Sequence, residues 1–289
     1  MKRNTSPWNK LLLLVIGTLL FMLIGSIFTI VVSLIIEPNS VWSLRLIQLI
    51  SIVLLFIIPA FALTRMIDGK VIKPLSLSTK PKLGYLFVIT ILIILVQPII
   101  FELAEWNSTL ELPKSMSAIQ EWMRNSEIQA EESLKLLLGG DAIINYIVNI
   151  LLISVMAGFG EELFFRGLLQ NKLSSITTSP IASALLVAIL FSALHFQFFG
   201  FFPRALLGAL FGILLIYSGS LWYSIYAHSL HNAIGVTTYY LVKREVVEEN
   251  QLETLVSDNP IILIISISSI LIILLSIYRC NKQKRTLEL

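Results

Sequence analysis

Residues 143–166 read IINYIVNILLISVMAGFGEELFFR, an apolar run that ends on two adjacent carboxylates, Glu161 and Glu162, with Arg166 four positions further on. At 1.5 Å of rise per residue, about 20 helical residues cross the roughly 30 Å of hydrocarbon in a bilayer. The stretch therefore reads as a membrane-spanning helix with ionisable groups near one end. Each such group costs roughly 2.5–3.5 kcal/mol at mid-bilayer even on lenient insertion scales, so its default reading is a functional site turned toward protein. All three histidines of the chain, His195, His228 and His231, follow in equally apolar sequence.

Composition agrees with a membrane protein. The 289 residues are 56% hydrophobic and only 13% charged, with a mean hydropathy of +0.85, far from the balance of a soluble domain. Apolar runs recur at 11–36, 44–63, 84–101, 143–165, 181–199, 205–218, 221–241 and 260–278. The expected fold is all-α, a polytopic bundle of about eight transmembrane helices. The first run is too long for a signal-peptide core and reads as a retained anchor. A single cysteine, Cys280, excludes an internal disulfide and a Cys-rich metal site. With no cysteine four residues from its end, the chain is not expected to be a prenylation substrate itself.

Charge alternates between the connections. One set carries Lys2, Arg3 and Lys10, then Arg65, Lys70, Lys73, Lys80 and Lys82, then Lys172, then Arg279, Lys282, Lys284 and Arg285. The other is acidic, with Glu37, Glu102, Glu105, Glu111, Glu121, Glu127, Glu131, Glu132 and Asp141, then Glu245, Glu248, Glu249, Glu253 and Asp258. Since basic connections stay in the cytoplasm, both termini are expected inside, in a cell-membrane protein. Three parts follow. Residues 1–142 hold spans one to three and an outer segment, where Ile119, Trp122, Met123 and Ile128 predict an amphipathic surface helix. Residues 143–241 hold the polar spans four to seven, the expected catalytic core. Residues 242–289 hold an outer loop, the last span and a basic tail. Asn107-Ser108-Thr109 is a glycosylation sequon only in a secretory-pathway host. Prolines 59, 98 and 203 mark expected kinks.

Glu162 and Arg166, four apart on a helix, can pair. Glu161, turned about 100° away, lacks that partner, and a lone carboxylate in apolar surroundings suits a general base. Measured from the turn between spans four and five, Glu161 stands about 18 Å up and His195 about 21 Å, so the two come level at a shallow depth on the inner side. His228 and Asn232 are again four apart and can offer donors to one cavity together, with His231 on an overlapping face. His228 lies about 10 Å into its span, shallower than the other two unless the connection at Ser218 to Ser220 is sunk. Gly208 and Gly212 form a G-x-x-x-G, common wherever membrane helices pack closely.

Glu161-Glu162-Leu-Phe-Phe-Arg166, Phe191-Ser-Ala-Leu-His195 and His228-Ser-Leu-His-Asn232 closely resemble the E-E-x-x-x-R, F-x-x-x-H and H-x-x-x-N motifs of the CAAX protease and bacteriocin-processing (CPBP, or Abi) family of intramembrane proteases. The resemblance covers about a third of the chain. It implies an endopeptidase in which Glu161 and His195 activate a water, His228 and Asn232 stabilise the oxyanion, and Glu162, Arg166 and Phe191 support them, near the cytoplasmic face. In the eukaryotic branch the substrates are prenylated CAAX proteins; in bacteria, roles in bacteriocin maturation or self-immunity have been suggested. The expected partner is a membrane-associated protein or peptide, not a nucleic acid. Glu161, His195 and His228 could also form a three-ligand zinc site with an open water position, although there is no H-E-x-x-H and the glutamate mechanism requires no cofactor. A competing reading is a proton-coupled transporter, or a non-proteolytic immunity or scaffold protein, since buried carboxylates and histidines also serve proton relays.

Overall fold

The computed structural model describes residues 6–36, 40–177, 179–248 and 259–287. Lys2, Arg3, Glu37, Glu249, Glu253 and Asp258 lie outside the described residues, as do the side chains of residues 277–289, Cys280 and the basic tail included. The fold is an all-helical bundle: α1 (Pro7–Ile36), α2 (Val41–Asp68), α3 (Leu83–Ser108), α4 (Ser117–Leu137), α5 (Ile143–Thr177), α6 (Pro180–Ala193), α7 (Phe201–Ser218), α8 (Leu221–Lys243) and α9 (Pro260–Leu287). Expected spans four to seven are α5 to α8.

Among the described residues, five helical segments are long and apolar enough to cross a membrane: Trp8–Ile36, Val41–Asp68, Leu83–Ser108, Ile143–Thr177 and Phe198–Ser218. The chain is a multi-pass membrane protein. α8 has the length but carries Ser224, His228, Ser229, His231 and Asn232, which lower its hydropathy. α6 is only 14 residues long, about 21 Å at helical rise and short of the bilayer core. The sequence reading ran this helix to 199, whereas it stops at Ala193 and places His195 beyond its end. The sixth span, expected to be short, instead extends back to Phe198. The outward faces of α1, α5 and α9 remain apolar, as at Leu34, Ile35, Leu151 and Ile264, which is stable against lipid rather than water.

Two devices shape the bundle. In α2, i→i+5 turns at Val53–Ile57 immediately precede Pro59, so the helix widens where the ring removes a donor. In α5, similar wide turns at Ile150–Met156 and Leu163–Gln170 flank the ordinary helical turns that carry Glu161 and Glu162. Such insertions occur frequently at functional sites.

The G-x-x-x-G of α7 has a specific task. A Cβ at Gly208 would lie 3.1 Å from Ala188 Cα and from Arg166 Nη2; one at Gly212 would lie 2.9 Å from Ala184 Cβ. The glycines thus let α6 close on α7 and bare two carbonyls, Gly208 O accepting from Arg166 Nη2 at 3.0 Å and Gly212 O from Gln170 Nε2 at 3.0 Å. Gly208→Val is expected to lower stability by about 1–3 kcal/mol through overpacking. Gly235→Ala, at a site open for 4 Å around, should be neutral or slightly stabilising. Thermal unfolding in detergent compares the two.

The ends of the bundle are distinct. At one, residues 69–82 fold over the α7–α8 connection: Ser220 is fully buried and donates to Thr79 O at 2.6 Å, Leu221 N–H donates to Ser76 O at 2.9 Å, and Trp222 Nε1–H donates to Leu77 O at 3.1 Å. The Ser218–Ser220 connection is therefore sunk. Lys172 pairs with Asp68 at the same end. At the other end, Arg45 donates to Asn145 Oδ1 and to Gly139 O, and Asn107 is a clamp. Its Nδ2 donates to Phe198 O at 3.0 Å and its Oδ1 accepts from Phe202 N–H at 2.9 Å. At 3% exposure, Asn107 is a structural residue, not a glycan acceptor.

Candidate active site

The site is built around Glu162. Fully buried, its Oε1 accepts from Arg166 Nη1 at 2.7 Å and from His228 Nδ1 at 2.9 Å. Arg166 is equally buried, with its guanidinium 4.6 Å over the Phe191 ring. The i,i+4 pair read from sequence is present, and its carboxylate does more than neutralise Arg166. By accepting a hydrogen bond from His228 Nδ1–H it fixes the tautomer and turns Nε2 toward Glu161, 3.8 Å from Oε2. Phe211 stacks on the His228 ring at 5.0 Å, and Phe191 meets it edge-on at 5.8 Å. Phe191 thus supports three polar side chains, packing also against His195 at 4.8 Å.

His195 follows the C-terminal turn of α6 and is held by its Nδ1, which donates to Phe191 O at 2.7 Å, leaving Nε2 free as an acceptor. The next residue, Phe196, has φ +54°, a left-handed conformation unusual for a bulky side chain and of a kind that concentrates at functional sites. Asn232 donates one amide proton to Ile153 O at 3.1 Å, and its second remains.

Glu161, His195, His228, His231 and Asn232 all line one cavity of about 370 Å³. No direct hydrogen bond joins Glu161 to His195, and the volume leaves room for several waters at about 30 Å³ each. His231 Nδ1 sits 3.2 Å from Gln97 Nε2, which also donates to Ile93 O. Sequence reasoning missed Gln48 and Arg204, both in the cavity wall. Arg204 donates to Gln197 O and Oε1 at 3.2 and 2.8 Å. A lone arginine between Phe202-Pro203 and Ala205-Leu206 was the available signal.

Within the bundle the site lies away from the α5–α6 turn. His195 lies past the far end of α6 from the α5–α6 turn, and the wall is completed by Leu134 and Leu137 of α4 with Gly200 and Pro203 of the α6–α7 connection. The cavity opens at the end of the bundle opposite residues 69–82 and Lys172.

Glu161, His195 and His228 are the residues of this cavity that could hold a zinc ion. Catalytic zinc needs three protein ligands converging at about 2.0–2.2 Å, and among the described residues no three His, Cys, Asp or Glu side chains converge in this way. His195 Nδ1 and His228 Nδ1 are held by Phe191 O and Glu162 Oε1, which leaves their Nε2 atoms to face the cavity, while Arg204 brings a permanent cation to the same wall.

α4 roofs the cavity. Trp122 packs on Phe198 at 5.2 Å, Arg124 lies over Phe199 at 5.0 Å, and Glu127 Oε2 accepts from Phe199 N–H at 3.3 Å. Burial pushes the Glu127 carboxyl above its ordinary value of 4.5, outweighing the Phe199 N–H and the Arg204 charge, which pull it down. A carboxyl with a raised folded-state pKa contributes most below its unfolded value and loses that contribution as pH rises through the folded one. α4 docking should therefore loosen as pH rises above 4.5. Glu127→Gln should abolish that dependence, read as hydrogen exchange of residues 117–137 across pH.

No curated protein and no solved structure matches the chain. Residues 143–234 match the family model described as type II CAAX prenyl endopeptidase, Rce1-like. This segment, about a third of the chain, supplies Glu161, Glu162, Arg166, His195, His228 and Asn232, and its similarity to that family model agrees with the CPBP/Abi resemblance of the motifs.

Proposed function

We propose that this protein is an intramembrane endopeptidase that hydrolyses a peptide bond of a membrane-associated substrate. The observation that carries the reading is that Glu161, His195, His228 and Asn232 share one cavity while Glu162 aims His228 at Glu161. In the proposed reaction a water between Glu161 and His195 Nε2 gives its proton to the Glu161 carboxylate and its oxygen attacks the scissile carbonyl carbon. Asn232, through its second amide proton, and His228, in the form that also carries a proton on Nε2, face the oxyanion that forms. On collapse the C–N bond breaks, the proton held by Glu161 passes to the leaving nitrogen, and an acid and an amine are released. Water activation is metal-free in this scheme.

Turnover of a membrane-peptide library by purified protein tests it. His195→Ala should cut kcat by about 10²-fold or more, the scale of losing a positioned acid–base group. Chelation followed by metal add-back should leave the wild-type rate unchanged. Normal cleavage by His195→Ala defeats the reading, and solute uptake that depends on Glu161 without any peptide product would favour a transporter.

A further inference from the structure

Beyond the mid-bundle Ala157, Leu207 and Phe211, the cavity walls that are not catalytic come from one end of the bundle. Gln48 lies in the first half of α2 and Ile100 in the second half of α3; Leu134 and Leu137 come from α4, Ile153 from the first half of α5 and Arg204 from the start of α7. Residues 69–82 and 171–180 contribute nothing to it. They close the opposite end, where Ser220 and Leu221 are bonded beneath the Ser76–Thr79 backbone.

The two ends differ in charge. The closed end carries Arg65, Lys70, Lys73, Lys80, Lys82 and Lys172 around Asp68. The open end carries the 102–142 segment with its eight carboxylates, Glu102 to Asp141, against Lys114, Arg124 and Lys135. Short connections rich in Lys and Arg are retained in the cytoplasm, which puts the closed end inside.

We infer that the cavity opens on the non-cytoplasmic side and that the scissile segment enters beneath α4 from the outer surface. The substrate class is then an exported or membrane-anchored polypeptide whose cleaved stretch lies at the outer leaflet, not a lipidated chain terminus presented from the cytoplasm. The Leu134 and Leu137 side chains admit an apolar stretch, and the docking of α4 through Trp122, Arg124 and Glu127 controls how far the mouth opens. The substrate class rests on the proposed hydrolysis; the side of entry does not.

The test is labelling of single-cysteine variants in a Cys280→Ser background with a membrane-impermeant maleimide, on intact cells and after permeabilisation. Leu134→Cys and Gln48→Cys line the mouth, and Lys80→Cys reports the closed end; Leu134 and Lys80 are exposed, so their replacement leaves the packing alone. Labelling of Leu134→Cys and Gln48→Cys on intact cells, with Lys80→Cys labelled only after permeabilisation, is the expected result. Lys80→Cys labelled from outside overturns the inference, as does Gln48→Cys labelled only from inside or from neither side. Labelling requires no catalysis, so failure of the hydrolytic reading, scored separately by turnover, leaves this outcome legible.

Discussion

Glu162→Gln is expected to be among the most destabilising single changes in the molecule. The substitution leaves the Arg166 guanidinium fully buried without its counter-charge, and removing one partner of a buried pair costs about 3–5 kcal/mol. Arg166 keeps Gly208 O and the ring faces of Phe165, Phe191 and Phe211. The double change Glu162→Leu with Arg166→Met removes both charges and should recover most of the melting temperature, because apolar replacements of buried pairs are commonly neutral or better. Turnover should not recover with it. Without the Glu162 carboxylate, His228 Nδ1 loses the acceptor that turns Nε2 toward Glu161. Folding restored without activity is the signature of a residue that positions another, and a double variant that regained both would reduce Glu162 to charge balance.

Glu161→Gln should behave in the opposite way, with stability kept and activity lost. Glu161 lines the cavity and its nearest ionic neighbour is His228 at 3.8 Å, so an isosteric amide breaks no short ion pair. An amide cannot take a proton from water, and kcat/KM should fall by about 10²–10⁴-fold, the usual contribution of a positioned general base. Thermal unfolding of the same preparation should move little. A variant that melts early and cleaves poorly would make the loss a folding effect and leave the base unassigned.

Much of this arrangement could be read in the sequence because local rules carry it. Glu162 and Arg166 meet because residues four apart share a helix face. The Ile119 and Trp122 periodicity marked α4, since apolar residues at helical spacing among charges have one stable place at an interface. What escaped depends on tertiary context. Nothing local says that α6 ends at Ala193, because Leu194, His195 and Phe196 are compatible with a continuing apolar helix. The break is set by the Phe196 backbone and by Asn107 clamping Phe198 and Phe202 from α3. That boundary sets His195 in a connecting segment rather than on a continuing helix. Asn107 itself read as a sequon, since burial cannot be inferred from three residues. Gln48 and Arg204 lie far from the motifs, and only the closure of α2 and α7 around α5 brings them to the same cavity.

The central claim is that a water held in this cavity is the nucleophile and Glu161 its base. Incubating purified protein with a peptide library in ¹⁸O-labelled water and weighing the products by mass spectrometry addresses it most directly. The account predicts wild-type products whose new carboxyl terminus carries ¹⁸O, with such products reduced at least about 10²-fold in Glu161→Gln at unchanged melting temperature. Labelled products appearing at the wild-type rate from Glu161→Gln, or no labelled product from the wild type, would contradict it.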